Sequence, residues 1–252
     1  MRPTLPRRAA LLAASASFSV GWSARATQSL KVLADTPLRP GLVGAAEIFQ
    51  RQTGAAVAFE FGPSAVILRK LADGDKSDVL CVQPNHIAEL VAAGQIAHEA
   101  RSFLGRVGLG LAARAGAAAR RIDDIDSLKV VLLDAETLIT NTIVPGELFI
   151  GVLQRLGIYE QVKAKLVRVP PGQVYERLAA GKGNEVLAGI FTLLKEAKVQ
   201  LIGPLPAAIQ PYQSYEAVRL ARANSVDTAN RFIGFLSTPH AIEALATSGM
   251  EF

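Results

Sequence analysis

The sequence predicts an α/β layered fold. Short apolar segments of strand character alternate with longer stretches of helical spacing, and prolines and glycines punctuate the joints. Half of the 252 residues are hydrophobic, enough to fill a sizeable core without covalent staples. The single cysteine, Cys81, excludes an internal disulfide framework and a multi-cysteine metal knuckle.

The elements follow in order. Leu30–Ala34 (LKVLA) reads as a strand, and the next segment, PGLVGAAEIFQRQTG, reads as a helix with Pro40 near its first turn and Gly54 as its stop. Ala56–Gly62 alternates as a strand does. A helix comes next, with helical spacing at Val66, Leu68 and Leu71, then a short apolar strand over Ser77–Gln83 and a helix opened by Pro84. Gly105–Gly116 (GRVGLGLAARAG) alternates through its glycines and is expected to be one long strand with bends. The second part repeats the rhythm. DIDSLKVVLLD, PGELFIGVLQRLG and PPGQVYERLAAGKG are helices, and TLITN, KLVRV and EVLAGIF are strands. KVQLIG and Ala208–Ala221 are read as strands, and two helices close the chain around Ala229–Leu236 and Ala241–Ser248. No fixed-period repeat and no flexible tether divides the chain.

The net charge of +5 resides mostly in a leader. Arg2, Arg7, Arg8 and Arg25 fall within the first 26 residues, which contain no acid; taking those four from the 27 basic residues leaves 23 against 22 acidic ones, a charge of +1. MRPTLPRR is a positive n-region, AALLAASASFSV is an apolar stretch too short to span a bilayer, and Ala24–Ala26 offers the small residues that signal peptidase needs. Residues 1–26 are therefore expected to be a signal peptide cleaved near Ala26, with Sec and twin-arginine export both open. The mature protein is expected in the periplasm and, at a charge of +1, without a nucleic-acid partner.

Strand-to-helix turns are where an open α/β sheet binds ligands, because helix amino ends present unpaired N–H groups and a partial positive charge. Three such turns carry hydroxyls or glycines: DTPLRP (Asp35–Pro40), FGPSA (Phe61–Ala65) and NTIVPG (Asn141–Gly146). Taken singly, Thr36, Ser64 and Thr142 there also read as ordinary helix caps.

The mature chain resembles the molybdate-binding type II periplasmic solute-binding proteins of ABC importers. The resemblance is carried by LKVLADTPLRPGLVGAAEIFQRQTG, VAFEFGPSAVILRKLADGDKSDVLCV, VPPGQVYERLAAGKGNEVLAGIF and NRFIGFLSTPHAIEALATSGME, and it spans residues 29–251. It implies two lobes, each a mixed sheet flanked by helices, joined by crossover strands: residues 29–108 plus 215–252 in lobe one and 109–214 in lobe two. It implies a small oxyanion, molybdate or tungstate, held between the lobes by neutral donors, and an ABC permease as partner for a monomer without cofactor, catalytic residue or metal-cation site. The positions matching the family's ligand contacts are Thr36, Ser64, Pro145 or Gly146, Val174 and Thr192.

Two departures stand out. The family's serine-rich first loop is Asp-Thr-Pro here, and its tyrosine position is Thr192. Asp35 facing inward repels a dianion by about 1–4 kcal/mol at close range, with Arg39 placed to offset it. Glycines 105, 108 and 110 are the expected hinge.

Other chemistry finds little support in the residues. Gly62–Ser64 lacks the glycine that follows a nucleophile-elbow serine, and His86 reads as a partly exposed helix residue rather than a base. Gly181–Glu185 lacks phosphate-loop spacing, and Asp123, Asp124 and Asp126 precede a helix without the calcium-loop pattern. Capture rather than turnover is expected. An organic carboxylate is the alternative ligand, and a hydrolase or lyase using the same cleft is the alternative class.

Overall fold

A computed structural model describes residues 29–252; the leader expected over 1–26 lies outside the described residues. The chain begins with β1 (Leu30–Asp35), whose alternation splits its side chains between two cores. Leu30, Val32 and Ala34 face one side, while Leu33 packs with Leu80, Val82 and Val218 on the other. The elements that follow are α1 (Arg39–Thr53), β2 (Val57–Gly62), α2 (Ser64–Ala72), β3 (Val79–Val82), α3 (Pro84–Ala92), β4 (Ile96–Val107) and β5 (Leu109–Ala113). Next come α4 (Ile125–Asp134), β6 (Thr137–Asn141), α5 (Val144–Arg155), α6 (Tyr159–Val162), β7 (Leu166–Val169), α7 (Val174–Ala179), β8 (Glu185–Ile190) and α8 (Phe191–Glu196). β9 (Gln200–Pro204), β10 (Gln213–Leu220), α9 (Val226–Phe235) and α10 (Pro239–Thr247) complete the fold.

The strands form two five-stranded mixed sheets, ordered β2-β1-β3-β10-β4 and β7-β6-β8-β5-β9. In the first, β1 runs parallel to β2 and β3, whereas β10 is antiparallel to β3 and β4. Phe49 of α1 packs edge-on against Phe232 of α9 on one face of this sheet, and Ile67 of α2 and Ile87 of α3 cover the other. The second sheet repeats the plan. Leu128 of α4 and Phe149 of α5 lie on one face, and Val174, Leu178 and Leu194 of α7 and α8 on the other. Burying both faces of each sheet is what gives its central strands their nearly continuous apolar runs.

Local signals explain several boundaries. Gly54 ends α1 at φ +74°, where its N–H closes onto Gln50 O at 2.8 Å. Asp124 caps α4 by accepting from Ser127 N at 2.8 Å, while Ser127 Oγ accepts from Asp124 N at 3.0 Å; that reciprocal pair gives Asp124 of the acidic cluster a structural role.

Three expectations need correction. Residues 96–104 are strand, and the single long strand expected over 105–116 is divided between sheets: β4 ends the first and β5 begins the second. The break comes at Gly108, where an added Cβ would lie 2.5 Å from the Gln210 amide. Residues 208–212 lie in a turn and the irregular segment after it rather than in a strand. Pro206 and Pro211 cannot donate to a ladder, and the Gln210 side chain substitutes for one by donating to Leu109 O at 2.9 Å and accepting from Leu109 N at 2.8 Å. Finally, Phe191–Glu196 is the helix α8, so Thr192 sits on a helix and not at a strand end.

The segment between β4 and β5 and the segment between β9 and β10 are thus the two connections between sheets, and Gln210 ties one to the other. Gly105, Gly108 and Gly110 are tightly packed there. A Cβ on each would come within 3.0 Å of a neighbouring atom, and Gly105 holds φ +102° beside the Glu251 carbonyl.

Candidate functional site

The carboxyl ends of β1, β3 and β6 and the amino ends of α2, α3, α5 and α7 converge on one cleft between the sheets, with a volume of about 1530 Å³. This is the ligand position expected of open α/β sheets. Thr36 lies in it directly after β1, Ser64 opens α2, Pro145 belongs to the first turn of α5 and Val174 opens α7; all four line the cleft.

Gly146 and Thr192 do not, and this corrects two positions. The Gly146 N–H donates to Ile143 O at 2.8 Å and Asn141 Oδ1 at 3.0 Å. A Cβ there would lie 1.9 Å from the Asn141 carbonyl, so glycine is required for the approach of α5 to β6 rather than for a ligand. Thr192 is fully buried and its hydroxyl donates to Pro37 O at 2.8 Å, a bond that joins α8 to the loop after β1.

The floor of the cleft is organised around Asp35, which lines the cavity while only 5% exposed. Its carboxylate accepts from the Ser64 hydroxyl and from the Thr36 backbone N–H. Burial pushes the Asp35 carboxyl above its ordinary range; the Ser64 and Thr36 bonds and the nearby His86 oppose that rise without cancelling it. Arg39, the counterion expected from sequence, instead bridges to Glu196 at 2.7 Å, linking α1 to α8. Tyr215 of β10, hydrogen-bonded to Gln83, is held firmly protonated by burial and by the charge of Asp35.

Further residues complete the walls. Arg114, just past the end of β5, lines the cleft with a buried Nε that has no hydrogen-bond partner. His86 of α3 lines it too, and its Nδ1 is likewise buried and unpartnered. Tyr175 of α7 keeps its proton because of burial, reinforced by Glu196 and opposed by Arg39. Ile143 and Val144 form an exposed apolar lip at the start of α5. The usable signal for Arg114 was a lone cation at the end of an otherwise apolar strand. From sequence, His86 reads as a partly exposed helix residue rather than a base, and it lies in the first turn of α3.

No group of histidine, cysteine and acidic residues that would hold a cation is found among the described residues. None of their helices is long and apolar enough to cross a membrane.

A profile of the bacterial extracellular solute-binding proteins matches residues 30–251. The chain belongs to that family. The substrate-binding domain of a putative molybdenum ABC transporter from Clostridium difficile superposes with a TM-score of 0.73 at 15% identity, covering 89% of this chain and 99% of that one. The Azotobacter vinelandii periplasmic molybdate-binding protein superposes with a TM-score of 0.71 at 19% identity, with the same coverage of both chains. These likenesses establish the two-lobed fold of this solute-binding protein. By sequence it is 23% identical over 255 residues to an aconitate isomerase from a Pseudomonas species, an alignment covering 99% of this chain and 96% of that relative.

Proposed function

We propose that this solute-binding protein captures a small organic anion bearing carboxylates in its cleft and presents it to an ABC importer. The observation that carries this reading is the state of the hydroxyls. Ser64 donates to Asp35 and Thr192 to Pro37, so two of the neutral donors that a bare dianion would need already serve the protein itself. An ionised Asp35 at the floor repels a unit negative charge 4 Å away by about 4 kcal/mol at an effective dielectric near 20. A carboxylate ligand eases that conflict, because its charged groups are separated by neutral carbons and can lie against Arg114 while an uncharged part of the ligand faces Asp35. The size of the cleft supports the same reading: about 1530 Å³ is far more than a tetrahedral oxyanion fills.

Molybdate or tungstate is the competing ligand, supported by the two structural likenesses. Turnover of a polycarboxylate in the same cleft is a second reading, favoured by the full-length similarity to an aconitate isomerase. Export by residues 1–26, a monomeric state, and lobes spanning 29–108 plus 215–252 and 109–214 belong to the same proposal.

A thermal-shift panel of molybdate, tungstate, sulfate, phosphate, citrate and aconitate tests it. A ligand at 100 times its Kd adds about 2.7 kcal/mol, a rise in Tm of about 5–10 °C for a chain of this size. Citrate or aconitate is expected to produce that rise. A rise with the inorganic anions alone overturns the carboxylate reading.

A further inference from the structure

We infer that Asp35 is a catalytic proton-transfer residue, moving a hydrogen from one carbon to another of an unsaturated polycarboxylate bound in the cleft. The inference rests on the carboxylate reading above and goes beyond capture.

A carboxylate is a costly group to place on the floor of an anion site, and this one is not neutralised by a guanidinium or an ammonium. Its hydrogen-bond partners are Ser64 Oγ and the Thr36 N–H, both neutral. The titratable groups facing it are His86 from α3 and Tyr215 from β10; α2 contributes only Ser64, and β2 pairs Gly62 alongside. A purely structural acid at a strand end would be expected to sit against a cation or in water. Asp35 is instead 5% exposed, opens onto the cavity, and burial raises its proton affinity toward the range useful for general acid–base work. Two basic side chains on the surrounding walls, Arg114 and His86, each present a buried nitrogen that no protein group engages.

The chemistry that this arrangement fits is an allylic shift. The substrate carries a CH2 between a carboxylate and an alkene carbon, with a further carboxylate conjugated to the alkene. Asp35 takes a proton from the CH2, and the C–H electron pair moves into the conjugated system. The resulting negative charge falls on carboxylate oxygens, where Arg114 and His86 can pair with it. The Asp35 proton then goes to the carbon at the far end of the three-carbon unit, and the double bond moves by one carbon. One C–H bond breaks and another forms, Asp35 is regenerated, and neither redox partner nor water is consumed.

The test uses the mature chain with cis- and trans-aconitate in deuterated water, followed by proton NMR, with calorimetry on the same samples. The wild type is expected to incorporate deuterium and interconvert the isomers. Asp35→Asn is expected to bind aconitate within about tenfold of wild type or more tightly. Its exchange rate is expected to fall by about 100- to 10,000-fold, with loss of the limb that rises as the carboxyl ionises. Thermal melting verifies that the variant folds, and Asp35→Ser serves if the amide does not. Ser64→Ala, which removes a bond favouring the ionised carboxyl, is expected to shift the exchange profile to higher pH. Binding by wild type without exchange overturns the catalytic inference and leaves the capture reading standing. Exchange by Asp35→Asn at the wild-type rate also overturns it. Failure of every carboxylate to bind overturns both.

Discussion

The two walls of the cleft are built from similar strand-to-helix turns but carry different chemistry. The wall contributed by the first sheet is polar and internally bonded: Asp35 holds Ser64 and the Thr36 N–H, and Tyr215 holds Gln83. The wall contributed by the second sheet is looser, with Ile143 and Val144 exposed at its lip and Arg114 presenting an unengaged nitrogen. Equivalent topology therefore does not dictate equivalent roles. On the proposed function, the first wall would set the protonation state of the site and share the grip through His86 of α3, while the second would add Arg114 and apolar cover.

The largest change should come from the core beneath the first wall. Phe232 is fully buried against Phe49 and Phe59, and Phe232→Ala should destabilise the protein by about 3–5 kcal/mol in denaturant unfolding. Should ligand still raise the Tm of that variant, the site is insulated from the core that supports it. A smaller effect belongs to the second wall. Arg114→Ala should weaken carboxylate binding by about 1.5–3 kcal/mol in calorimetry, with little change in melting without ligand. A loss of stability instead of affinity would assign Arg114 to the interior, beside Glu185, which feels its charge.

Asp35 provides a third way to separate the walls. Burial raises its folded pKa above the unfolded one, so the folded state holds the proton more tightly. The stability it contributes is fully present below the ordinary carboxylate range and is lost as pH rises through the raised value. Asp35→Asn should therefore melt higher than wild type at neutral pH, and the advantage should vanish in acid. The smallest effect is expected at the Arg39–Glu196 bridge between the lobes, whose side chains are 46% and 42% exposed. Arg39→Ala should cost about 0.2–1 kcal/mol, diminishing with added salt. A larger change in ligand dissociation rate than in stability would make the pair a latch on closure.

How legible the molecule was depends on the range of the interaction. The apolar run Leu30–Ala34, the stop at Gly54 and the helical spacing of DIDSLKVVLLD are local patterns, and each gave the correct element. The break between β4 and β5 was not readable, because it depends on Gln210 approaching Gly108 from about 100 residues away. At the site, the turns holding Thr36, Ser64 and Pro145 were found from their position after strands, and Val174 from the family resemblance. The tasks of Gly146 and Thr192 were not, since their partners Asn141 and Pro37 are fixed only when helix meets strand or lobe meets lobe.

The amino-acid order by itself determined the layer class, most element boundaries and the family, because periodicity, capping and turn chemistry act over a few residues. The packed structure alone decided which donors remain for a ligand. A hydroxyl such as Ser64 bonds to whichever acceptor the fold brings nearest, and that acceptor is Asp35, 29 residues away.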